Sequence, residues 1–167
     1  IRVGDLIEVG QLMGTVKHIG LRSTHVRTGN NIDIIVPNNA FLEKDVVNWT
    51  LTNPKVRLKV SVGVAYGSPT ERVRELLLQA AKECDSVLSF PPPFVLFVDF
   101  GSDALAFELH FWAKVKTVMD REGVQSDLRF TIDRRFREAG VVIAFPQRDV
   151  HLDAAAPLSV RLVNDEQ

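Results

Sequence analysis

The residues of this chain able to do chemistry are few and scattered. His18, His25, His110 and His151 could ligate a transition metal or move protons, but none stands at His-x-His or His-x3-His spacing and none has a cysteine neighbour. Cys84, the single cysteine, falls on an apolar helical stripe, where a thiol behaves as a small core residue rather than a nucleophile. Asp99 and Asp103 flank Gly101-Ser102, so turn formation accounts for them better than paired acid–base work. Gly63 to Gly67 is too short for a phosphate loop, which needs a Gly-rich turn, a following helix and a lysine. Asn48-Trp49-Thr50 matches a glycosylation sequon with no secretory signal ahead of it, and is read as coincidental. The sequence therefore assigns no catalytic residue, no metal and no cofactor.

Charge narrows the partners. Residues 1–54 carry five Lys/Arg and five Asp/Glu, and residues 55–167 carry fifteen and sixteen, for a formal net charge of −1. Nucleic-acid binding draws on a basic excess to displace counterions from phosphates, and neither half has one. Arg129, Arg134, Arg135 and Arg137 alternate with Asp127, Asp133 and Glu138, the pattern of a solvated, ion-paired helix face. One cysteine excludes an intrachain disulfide and suits a reducing compartment. No run approaches the roughly 18–20 apolar residues of a membrane helix, so the chain as given is expected to be soluble. It begins at Ile1 rather than Met, as expected of a piece of a longer protein.

The elements that must position these residues fall into two blocks. Up to about Leu51, short β-prone runs alternate with Gly, Asn and Pro, predicting strands near Leu6–Val9, Thr15–Ile19, Leu21–Arg27, Ile32–Val36 and Val46–Leu51. In the fourth, Ile32, Ile34 and Val36 share one face. Gly29-Asn30-Asn31 signals a turn. A unit of about 50 residues buries too little surface to stand comfortably alone, so it should lean on a neighbour.

Asn53-Pro54 marks a boundary. Val56, Leu58, Val60, Val62 and Val64 then alternate with Arg57, Lys59, Ser61 and Gly63, a half-buried strand. Ser68-Pro69-Thr70-Glu71 predicts a capping box at the head of a helix whose stripe is Val73, Leu76, Leu77, Ala80 and Cys84. After Pro91-Pro92-Pro93, Phe94, Leu96, Val98 and Phe100 alternate to a hairpin turn at Gly101-Ser102-Asp103, and Leu105, Phe107, Leu109 and Phe111 return. Val124, Leu128, Ile132 and Phe136 define a long helix that Gly140 caps, and Val141-Val142-Ile143 leads to an extended run, Asp149–Leu152. Strand-helix-strand-strand-helix-strand is the ferredoxin-like βαββαβ order. Ala154-Ala155-Ala156-Pro157 reads as a linker, with one more strand at Ser159–Val163.

The order of motifs resembles the small-conductance mechanosensitive channels of the MscS type. The resemblance rests on Val3-Gly4-Asp5-x-Ile7-Glu8-Val9-Gly10, Gly14-Thr15-Val16, Leu21-Arg22-Ser23-Thr24-x-Val26-Arg27-Thr28, Pro37-Asn38, Asn48-x-Thr50 and Gly63-Val64-Ala65-Tyr66. It continues through the Pro-rich segment with Phe94-Val95 and ends at Phe145-Pro146-Gln147-x-x-Val150-His151-Leu152, covering most of residues 3–152. Three departures bear on the vestibule lining more than on the fold: Ala144 before Phe-Pro-Gln, Asp120-Arg121-Glu122-Gly123, and His110 where an arginine is usual.

The resemblance implies an Sm-like small β barrel (residues 1–53), a ferredoxin-like α/β domain (54–153), and a tail (154–167) that supplies a strand to an intersubunit β barrel. It further implies the cytoplasmic vestibule of an inner-membrane channel, without its transmembrane helices. That channel would assemble as a homoheptamer and open under tension to release ions and small osmolytes in osmotic downshock. Gly4, Asp5, Gly14, Arg22, Thr24, Arg27, Pro37 and Asn38 match the motif and are taken as fold and interface residues, with Arg22 and Arg27 expected to pair with Asp5 or Glu8 across a subunit boundary. The alternative is a soluble module of the same two folds that binds RNA or a small regulatory ligand. The even charge counts against RNA, and no nucleic-acid partner is expected.

Overall fold

Side chains that alternate with period two sort themselves to opposite faces of a strand, and this rule builds both sheets of the protein. The computed structural model describes residues 1–146 and 148. In the first sheet, β1 (Leu6–Val9), β2 (Leu12–Ile19), β3 (Ser23–Arg27), β4 (Asp33–Pro37) and β5 (Val46–Asn48) are antiparallel in the order β4-β3-β2-β1-β5. Gly10, at φ +61°, makes the two-residue hairpin between Val9 and Leu12. Ile7, Val9, Val16, Val26 and Val36 meet in a small buried core, and Leu12, Phe41 and Val46 pack against it.

Two of these strands, β3 and β5, are shorter than the sequence suggests, and β4 is shifted by one residue. Leu21 lies fully exposed in the turn before β3, and β5 stops at Asn48. Of the predicted fourth-strand face only Val36 is buried, while Ile32 and Ile34 are exposed, because among the described residues β4 is an edge strand with no neighbour on its far side. Helix α1 (Ala40–Glu43) was not expected, since a single turn is too short to show a period.

The second sheet has the order β6-β8-β7, from β6 (Lys55–Val64), β7 (Phe94–Phe100) and β8 (Leu105–Lys114). Helices α2 (Thr70–Glu83) and α3 (Val118–Glu138) pack on one face. The predicted stripes are the buried ones: Val73, Leu76, Leu77, Ala80 and Cys84 on α2, and Val124, Leu128, Ile132 and Phe136 on α3. From β8 they meet Leu105, Phe107, Leu109 and Phe111. Gly140, at φ +68°, ends α3 in the left-handed conformation that glycine reaches without strain. The last strand is reduced, among the described residues, to a single antiparallel bridge from Ile143 to Val64, beside β6 where the ferredoxin-like order places it. The run Asp149–Leu152, the linker and the Ser159–Val163 strand lie outside the described residues.

The capping box forms at a different helix. Pro69 is itself the N-cap of α2, at ψ 103°, and no side chain caps that end. The start is thereby shifted by one residue, and Ser68, held in a turn by its N–H to Ala65 O, stands too far back to reach the first free N–H groups. Helix α3 carries the box instead: Thr117 Oγ1 accepts from Asp120 N, and the Asp120 carboxylate accepts from Thr117 N.

The face of β7 is a second correction. Phe94, Leu96, Val98 and Phe100 alternate as a core face would, yet all four are exposed, and Val95 is the half-buried residue of the strand. The register with β8 explains this, because Phe94 lies opposite His110 and Leu96 opposite Glu108, on the sheet face away from the helices. A bulge between Phe97 and Asp99 breaks the alternation beyond them.

Candidate functional site

The segment leading into β1 is tied down by polar atoms of residues distant in sequence. Gly4 takes φ +96°, which lets its N–H donate to Val16 O, while Val16 N donates back to Asp5 O. The Asp5 carboxylate accepts from Asn48 Nδ2 at 2.6 Å and from Arg2 N at 2.8 Å. Asn48 Oδ1 accepts from Thr50 N, and Thr50 Oγ1 accepts from Leu6 N. Residues 2–6 are therefore clamped both to β2 and to the stretch following β5.

Asn38 is the second anchor. Its Oδ1 accepts from the buried Thr24 hydroxyl at 2.9 Å, and its Nδ2 donates to Gly20 O and Leu21 O. Its own N–H donates to Arg22 O. One amide side chain thus fixes the turn into β3 against the end of β4, where Pro37 lies opposite Ser23. Replacing Asn38 with Ala strips the Thr24 hydroxyl and two carbonyls of their partner, and should cost about 1–3 kcal/mol of stability by urea unfolding. An unchanged midpoint would show that water substitutes fully.

Gly14 permits the closest contact in the first sheet. A Cβ there would lie 2.6 Å from Arg27 O and 2.7 Å from Val26 Cγ1. Within its own chain Arg27 does not reach toward Asp5 or Glu8. It forms a two-pronged ion pair with Asp33 across the β3–β4 hairpin, at 2.7 and 2.8 Å. That bond holds the Asp33 carboxyl below its ordinary range and raises the guanidinium. Asp5 is engaged by Asn48, and Glu8 by the Trp49 indole N–H at 3.2 Å. Arg22 is exposed, and its side chain has no partner among the described residues. The structure therefore gathers Gly4 and Asp5 at one anchor and Thr24, Pro37 and Asn38 at another, with Gly14 and Arg27 in contact between them.

Sequence reasoning missed the seam between the two sheets. Leu6, on β1, is fully buried in the larger core, with Met13 and Trp49 packed against it. Arg121 from α3 lays its guanidinium 5.4 Å from the Trp49 ring centroid and donates to Met13 Sδ at 3.4 Å. A departure from the family pattern at Asp120–Gly123 was visible in the sequence; its partners in the first sheet were not. On the outer face of the second sheet, His110 stacks on Phe94 and meets Glu108, which also binds Lys59. The Lys59 bond chiefly, and His110 after it, hold the Glu108 carboxyl low. Between the helices Glu83 binds Arg135 and Arg134, and Arg135 chiefly lowers its carboxyl. Among the described residues no three His, Cys, Asp or Glu side chains come together as metal ligands, and no helix is long and apolar enough to cross a membrane.

An Sm-like sheet thus feeds a ferredoxin-like sandwich, clamped at its entry and joined to it by a packed seam. Residues 1–51 match the family described as "Mechanosensitive ion channel, beta-domain", and residues 58–143 match "Mechanosensitive ion channel MscS, C-terminal". The chain belongs to the MscS family of mechanosensitive ion channels.

Among its relatives are an uncharacterized MscS family protein of Haemophilus influenzae, 41% identical over 91% of this chain and 14% of that protein, and the mechanosensitive channel MscK of Escherichia coli, 40% identical over 91% of this chain and 13% of that one. The chain thus spans about one seventh of the length of these relatives. The crystal structure of Helicobacter pylori MscS in its closed state superposes with a TM-score of 0.82 at 25% identity, covering 92% of this chain and 60% of that one.

Proposed function

We propose that this chain is the cytoplasmic vestibule of an inner-membrane channel, built from copies of itself arranged in a ring of seven. In this reading a pore helix leads into Gly4-Asp5, and tension on the membrane part favours the state of larger in-plane area. The vestibule keeps the subunits in register and passes ions and small osmolytes through gaps between them during osmotic downshock. It performs no catalytic step.

The observation that carries the reading is the pair of sheet edges left unmatched among the described residues. β4 and β5 end the order β4-β3-β2-β1-β5, and each presents exposed apolar side chains, Ile34 and Ile35 on one and Val47 on the other. Such edges are open to pairing with another chain, and two different edges meeting head to tail close a ring when the rotation per copy allows it. The clamp on residues 2–6 supports the same reading, since force arriving there would pass directly into both β2 and the stretch after β5.

Two measurements test this. Light scattering on the chain should give a seven-copy mass, and a monomer would count against the edges as ring contacts. The full-length protein in channel-deficient cells should give tension-gated currents in excised patches and rescue survival of downshock; an absence of current would overturn the channel reading.

A further inference from the structure

A cavity of about 190 Å³ opens where the first sheet meets the start of α3. Three features converge on it. The first is a bulge. β2 pairs with β3 through Val16↔Val26 and then His18↔His25, which leaves Lys17 as an extra residue with no partner on β3. Bulges of this kind re-aim a side chain, and they are over-represented beside functional sites. Lys17 lines the cavity, and it forms no ion pair among the described residues.

The second is a close seat. A Cβ on Gly29 would lie 3.2 Å from Val118, tight enough to push the β3–β4 turn and the start of α3 apart by a few tenths of an ångström. That contact closes one wall. The third is the lining chemistry. Beside Lys17 stand Arg27, Thr15, Thr28, Asn31 and Thr117, and no carboxylate. Asp33 engages Nε and Nη2 of Arg27, leaving Nη1 able to donate. Thr117 Oγ1 already accepts from Asp120 N, so its hydroxyl hydrogen remains to be given. The opposite wall is apolar, from Val118 and Met119.

We propose that this cavity binds a small phosphate-bearing anion that bridges the two sheets. Lys17 and Arg27 bring two positive charges against the single negative charge of Asp33, which feels both, so the net charge is positive. Arg27 Nη1, the threonine hydroxyls and the Asn31 amide supply donors to the phosphate oxygens. At about 30 Å³ per water, the space holds roughly six waters' volume, enough for one phosphate group and a few carbon atoms along the apolar wall. The backbone N–H groups just ahead of α3, on Lys116 and Thr117, are not the attraction, because the Asp120 carboxylate already accepts from both. A ligand seated here would touch both the hairpin of the first sheet and the α3 end of the second, and would stiffen the seam.

The test is a thermal-shift and calorimetric titration of the 167-residue chain with inorganic phosphate and glycerol phosphate, against chloride at equal ionic strength. Saturable binding is expected, raising the melting temperature by about 5–10 °C at a concentration roughly a hundredfold above Kd. Lys17→Gln should weaken binding at least tenfold, and Asn31→Gly, which keeps the positive φ of that residue, should weaken it less. Phosphate also strengthens folding without binding, and that effect would be equal in wild type and Lys17→Gln. An equal shift in both, or no saturation by the free phosphates and by phosphatidic acid vesicles alike, overturns the proposal. Vesicles of phosphatidic acid form a further arm: saturation by free glycerol phosphate assigns the site to a soluble phosphate ester, and saturation by the vesicles alone assigns it to a lipid headgroup. Both outcomes uphold the phosphate chemistry.

Discussion

Leu6→Ala is expected to lower the unfolding free energy by about 2–5 kcal/mol, the range for deleting a buried leucine side chain and leaving part of its volume empty. The loss should also change the shape of unfolding. Leu6 sits on β1, yet its side chain belongs to the core formed by β6, β8, α2 and α3, while its neighbour Ile7 points into the small core of the first sheet. The small core has few buried side chains and draws support from the large one through this contact. Removing the leucine should therefore separate one cooperative transition into two, with the first sheet melting at the lower temperature. Calorimetry at fixed protein concentration checks both expectations, the concentration being fixed because association adds to apparent stability. A loss under about 1 kcal/mol with a single transition would show that Leu6 does not join the two parts. In a channel, the same substitution should loosen the path by which displacement at residues 2–6 reaches the α/β part.

Gly14→Ala should cost about 3 kcal/mol, the upper end of the range for forcing atoms into a packed interior. The nearest atom to the new methyl would be a backbone oxygen, Arg27 O at 2.6 Å, and a backbone oxygen cannot rotate away as a side-chain end can. Relief requires β3 to move off β2, which would strain the Thr15↔Arg27 and Val16↔Val26 pairs and the Arg27–Asp33 bond beyond them. For a chain of this size the loss corresponds to roughly 6–12 °C in Tm. Circular dichroism melting and urea unfolding would measure it. A variant as stable as wild type would mean that the two strands can part at little cost, and that Gly14 has no packing role. Gly4→Ala makes a useful contrast, since among the described residues, its chain neighbours aside, nothing lies within 4 Å of a Cβ there and the penalty comes from its φ of +96°.

These two positions show where reading the sequence succeeds and where it stops. The glycine at residue 14 was visible as part of a motif. The reason for it, the carbonyl of a residue thirteen positions later, exists only once β2 and β3 are paired. The same holds for Arg27: the sequence marks its charge and names no partner for it within its own chain. Register supplies that partner, because Arg27 and Asp33 lie directly opposite each other in the β3–β4 hairpin. The alternating apolar residues of β7 misled for a related reason. Period two says that a strand has two different faces, and it does not say which face the helices cover.

By itself the sequence determined the order and type of the long elements, because periods of 2 and 3.6 are local properties that any neighbouring core must respect. It also determined the stripes of α2 and α3, the capping of α3 by Gly140, and the family, which is carried by residue types in a fixed order. Tertiary structure alone decided which alternating face is buried, which carboxylate each arginine binds, and that Leu6 crosses from one sheet into the core of the other. Each of those depends on where a distant segment comes to rest, and that position is the sum of many weak contacts rather than the property of any one stretch of chain.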